Sequence, residues 1–88
     1  MSNRDFEQFV KSLKSGQEIG LIRLKHFKKV DGAYLRRDFI FPREVKVNGS
    51  TVTFLVENWV TFKDCPVSTD YKDIVYYEIR KSKEEKRR

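Results

Sequence analysis

Two dipeptides, Asp31-Gly32 and Asn48-Gly49, constrain this chain more than any other feature in it. Both residues of a type I′ turn need positive φ, and Asn or Asp followed by Gly tolerates that better than most pairs. Each dipeptide predicts a two-residue hairpin loop, and a loop that short fixes register. Val30 then faces Ala33, and Val47 faces Ser50. On one side of the expected sheet, Ile22 falls opposite Phe41, Leu24 opposite Phe39, Val45 opposite Val52 and Phe41 opposite Val56. Carried further, Phe62 aligns with Leu35. The apolar residues of three strands thus share a face, which a slip of one residue would scatter.

The flanking segments complete the plan. Phe6, Phe9, Val10 and Leu13 recur at the spacing of one helical stripe, predicting a helix over about residues 3–14. Ser2 or Asn3 caps its start, and Gly16 suits its end. Pro42 lies in the middle strand, where both edges need amides. It predicts a break there, each half pairing with a different neighbour. Residues 64–73, DCPVSTDYKD, read as a loop from their Asp, Pro and Ser content. Residues 74–80, IVYYEIR, read as a last strand with apolar groups on both faces, covered on both sides.

The expected class is α+β: an N-terminal amphipathic helix packed on a strongly bent antiparallel meander of about four to five strands. The plan resembles that of Sm-like and other SH3-type barrels, which implies closure into a small barrel. No signature motif accompanies the resemblance, so no site residues carry over from it. Residues 1–80 are expected to form a single globular domain, and residues 81–88, KSKEEKRR, a charged, disordered tail.

With 88 residues there is room for one modest core. No apolar run approaches the roughly 20 residues that span a bilayer. The first residues lack the apolar stretch of a secretory signal, and the one cysteine, Cys65, cannot form an internal disulfide. A cytoplasmic protein without a membrane role is the expectation. The net charge of +6 is unevenly spread. Residues 21–49 carry eight basic groups against Asp31, Asp38 and Glu44, and the tail is also basic. Such segregation attracts polyanions, although many small proteins are simply basic.

The same registers define the opposite face. Across the three strands the rows run Lys25, Asp38, Trp59; then Phe27, Arg36, Thr61; then Lys29, Tyr34, Lys63. Exposed rings interleaved with cations suit single-stranded nucleic acid, because bases stack while cations follow the phosphates. The candidate nucleic-acid-binding residues are therefore Lys25, Phe27, Lys29, Tyr34, Arg36, Trp59 and Lys63. Cross-strand pairs of these types also stabilise a sheet that binds nothing.

Other chemistry is thin. His26 and Cys65 are the only residues of their types, and no third residue orients them as a base and nucleophile. His26 reads as a partly buried strand residue and Cys65 as a loop or core-edge thiol. Two scattered ligands do not make a metal site. No phosphate loop follows Gly16 or Gly20. These readings argue against an enzyme, a cofactor or a metal. They favour a small nucleic-acid-binding protein, with regulation one possible role and single strands favoured over duplex. The alternative is a protein-interaction module or a homo-oligomeric accessory protein, such as a phage or virus would encode.

Overall fold

In the computed structural model, Ser2 starts a helix by accepting a 3.1 Å hydrogen bond from the Asp5 amide on its hydroxyl. The structure describes residues 1–31, 34–58 and 61–80. The helix, α1 (Asn3–Lys14), ends in a Schellman motif. The Gln17 amide donates to the Ser12 carbonyl at 3.0 Å and the Gly16 amide to the Leu13 carbonyl at 3.1 Å. Gly16 supplies the positive φ of +88° that this turn needs. Both ends are where the sequence predicts them. Phe9 is fully buried, edge-on to Tyr77 at 5.0 Å, and Phe6 stacks on Tyr71 at 4.1 Å. These contacts hold a short helix that would be unstable alone.

Six strands follow among the described residues: β1 (Ile19–Asp31), β2 (Tyr34–Ile40), β3 (Arg43–Asn48), β4 (Thr51–Glu57), β5 (Asp64–Asp70) and β6 (Ile74–Ile79). A 3₁₀ turn (Tyr71–Asp73) separates the last two. The fold is α+β, with all strand pairs antiparallel. The strands form two three-stranded sheets in the orders β2-β1-β6 and β3-β4-β5. They do not close into the barrel expected from the sequence. The break at Pro42 is the reason: β2 pairs with β1 and β3 pairs with β4, so the chain changes sheets there. That division was expected. Phe41 and Glu44 flank the break with φ of +52° and +51°.

Ile22, Leu24, Phe39 and Ile74 from the first sheet meet Val52, Phe54, Val56 and Val67 from the second, with Phe9 and Ile19 completing the core. Phe39 and Phe54 touch edge to face at 5.4 Å. Burying side chains of this size stabilises by roughly 1.5–3 kcal/mol each.

Several register expectations need correction. The second hairpin pairs Val47 with Val52 and Asn48 with Thr51. Its central residues are therefore Gly49 and Ser50, not Asn48 and Gly49. Gly49 has φ +64° and Ser50 is not in the positive-φ region, which suits a II′ turn. The shift is two residues, so Val45, Val47, Val52 and Phe54 still point to one side. In the first hairpin, Ile22 lies opposite Phe39 and Asp31 opposite Tyr34. The predicted partner Ala33, with Gly32, lies outside the described residues.

Residues 64–70 are not a loop. They form β5, paired residue for residue with β4 from Glu57–Asp64 to Thr51–Asp70. Pro66 is tolerated because β5 is an edge strand. This pairing occupies the side of β4 opposite β3. Nor is β6 covered on both faces: it pairs with β1 at an edge, burying Ile74 while Val75 and Tyr76 stay exposed. The predicted disordered tail, residues 81–88, lies outside the described residues.

Candidate nucleic-acid interface

β1 is 13 residues long, twice the length of most of its neighbours. Its first half alternates inward and outward, with Ile22 and Leu24 buried. From Lys25 to Lys29 every residue is exposed: Lys25, His26, Phe27, Lys28 and Lys29. The ladder to β2 jumps between Arg23 and Lys28, and the ladder to β6 shifts between Arg23 and Leu24. Four residues of β1 thus oppose one of β2, a bulge that releases the strand from strict alternation. His26 is accordingly exposed, not partly buried as expected.

The bulge also rearranges the predicted rows. Asp38 lies opposite Arg23, not Lys25, and accepts two bonds from its guanidinium, at 2.7 and 3.2 Å. That hydrogen-bonded charge pair lowers the Asp38 carboxyl below its ordinary value and raises Arg23 above its own. Arg23 also lies 5.7 Å from the Tyr76 ring centre. The Tyr76 hydroxyl donates to Glu78 at 2.6 Å, and the adjacent carboxylate raises its pKa.

Arg36 lies opposite Lys28, and the expectation that it is exposed beside Phe27 is corrected. Only 5% of it is exposed. It turns inward, donating to the Glu57 carbonyl at 3.2 Å and lying 5.2 Å from the Phe39 ring centre. Arg37 takes its place over Phe27, 5.5 Å from the ring centre. Phe27 itself is 63% exposed. With Leu35, Arg36, Arg37 and Asp38 it lines a shallow groove of about 360 Å³.

The structure therefore brings Lys25, Phe27 and Lys29 together on β1. Lys63 lies apart in the turn between β4 and β5, where its carbonyl accepts from the Asn58 amide at 2.8 Å. Nothing is described of the Tyr34 side chain, and Trp59 lies outside the described residues. Lys28 and Arg37 join the surface although strict alternation had put them on the other face. Only knowledge of the bulge could have recovered them.

A larger cleft, about 670 Å³, opens where the chain changes sheets. Phe41, Pro42, Arg43 and Glu44 line one wall, the end of α1 and Glu18 another, and Arg36 and Arg80 close it. Arg43 is ion-paired with Asp64, and Arg80 lies 3.6 Å from Glu18 and 4.6 Å from the Phe41 ring centre.

Cys65 is half-buried and donates its thiol to the Val30 carbonyl at 3.3 Å, tying the far end of β1 to β5. Among the described residues no group of acidic, His and Cys side chains is placed to hold a metal ion. No helix among them is long and apolar enough to cross a membrane. Comparison with family models, curated proteins and solved structures finds no match to this chain.

Proposed function

We propose that this is a small, non-enzymatic, cytoplasmic nucleic-acid-binding protein that takes a single strand across the β1–β2 ribbon. The observation that carries the reading is the uninterrupted exposed run Lys25–Lys29, with Phe27 bare on one side and Arg37 over its ring. Lys25, Lys28, Lys29 and Arg37 meet phosphates, and Phe27 stacks on a base. Stacking on one ring contributes roughly 1–3 kcal/mol, and each phosphate neutralised releases counterions. Arg36 takes no direct part, because it is buried.

Exposed Ile40, Val75 and Tyr76 favour a second reading, a protein-interaction or homo-oligomer surface. Salt separates the two. Fluorescence anisotropy with a labelled oligothymidylate should show affinity falling steeply with salt. Replacing Lys25, Lys28 and Lys29 together by Ala should flatten the logarithmic salt slope by about 2. The same loss of charge at Lys11, Lys14 and Lys46 should leave affinity nearly intact. Absence of binding by the parent protein, or equal losses in both triple variants, would replace this reading with the interaction surface.

A further inference from the structure

The cleft at the sheet change has the chemistry of a nucleobase pocket. A base is apolar on its faces and polar at its edges. Phe41 and Pro42 supply apolar wall, and Arg43, Arg80 and Glu44 supply polar edge. Arg36 lines both this cleft and the groove beside Phe27, so the two are neighbours along β2. From Arg37 to Phe41 the strand advances about 13 Å, a distance a short single strand can bridge.

Glu44 decides which base would fit. It is exposed, and its carboxylate makes no ion pair or hydrogen bond among the described residues. Its φ of +51° is one that glycine adopts freely and glutamate does not. Phe41 shares that strain at φ +52°, and both line the cleft. Strained residues of this kind persist where the surroundings over-determine them, often at ligand sites. An ionised carboxylate can only accept hydrogen bonds. It therefore matches an exocyclic amino group, as on cytosine N4, and is mismatched to the O4 acceptor that thymine offers at the same position, where only the single N3–H remains as a donor.

Resting on the single-strand reading above, we infer that the cleft between Phe41, Glu44 and Arg80 receives one splayed-out base of the bound strand. Glu44 selects a base carrying an amino group. Arg80, lying over Phe41, presents a cationic surface of the kind on which bases stack.

The test compares labelled oligocytidylate and oligothymidylate, each about a dozen nucleotides long, at neutral pH. The parent protein should prefer the cytidylate by about ten- to a hundredfold, the value of one charge-assisted hydrogen bond. Glu44→Ala should abolish that preference without weakening thymidylate binding, since it removes a negative charge. Glu44→Gln keeps an acceptor oxygen and should keep part of the preference, which a pure charge effect would not. A urea midpoint checks that each variant folds. No preference in a parent that binds both, or a preference that survives Glu44→Ala, overturns the pocket and leaves the ribbon intact. A parent that binds neither oligonucleotide overturns both.

Discussion

β4 alternates along its whole length, whereas β1 does so only at its beginning. From Thr51 to Glu57 every second residue of β4 is buried, and its ladder to β5 runs without interruption. β1 has a neighbour on each side as well, yet both ladders shift near Arg23. Beyond that point it turns five consecutive side chains to solvent. β4 has its own one-residue shift against β3, between Arg43 and Lys46, so the unbroken ladder to β5 is what keeps half its residues in the core. A strand released by a bulge need not keep them there, and can spend them on a surface. Both sheets supply the core, and the released half of β1 is free to carry an exposed surface.

That division can be broken most directly by truncating one ring from each region. Phe54→Ala should lower stability by about 3–5 kcal/mol, the usual cost of a fully buried Phe. Phe27→Ala should change it by no more than about 0.5 kcal/mol, as expected of an exposed position. Urea denaturation of the two variants measures both. Comparable losses would mean that the ribbon is structural and its exposure incidental.

A smaller effect sharpens how the two sheets are joined. Arg36 reaches from β2 to the carbonyl at the end of β4. Arg36→Met keeps the bulk and removes the hydrogen bond, and should cost about 1.5–3 kcal/mol, the value for a bond to a charged group. A urea midpoint equal to that of the parent would show that the core alone holds the sheets together.

The smallest effect lies on the outer face of the first sheet. Asp38 is held below its ordinary carboxyl value by Arg23, so its contribution is present above the ordinary carboxylate range. It disappears as pH falls through the lowered value. Asp38→Asn should therefore reduce the urea midpoint slightly at neutral pH and converge with the parent protein in acid. Both side chains are substantially exposed, so added salt should also erase the difference. A difference that persists in acid would assign Asp38 a role other than this ion pair.

Some of this was legible in the sequence. The α1 boundaries followed from the spacing of Phe6, Phe9 and Leu13 and from Ser2 and Gly16, because helix signals are local. Pro42 marked the change of sheets for the same reason. The second turn slipped because one glycine satisfies either of two turn types, and the two-residue slip preserves the apolar face. β5 was hidden by Pro66, Ser68 and Asp70, residues that an edge strand tolerates and a central one does not. At the candidate interface, Lys25, Phe27 and Lys29 were legible because they repeat on one strand. Arg36 was not, since its burial depends on a bulge and on a carbonyl from the other sheet.

Pro66 has one more consequence. It sits on an open edge of the second sheet, opposite Leu55, and has no amide hydrogen to offer an incoming strand. A second chain aligning along β5 would find a gap in the row of donors midway, flanked by the charges of Asp64 and Asp70. Fibril growth needs an edge that can be extended repeatedly by identical segments. The residue that disguised β5 in the sequence therefore also caps the sheet against polymerisation from that side.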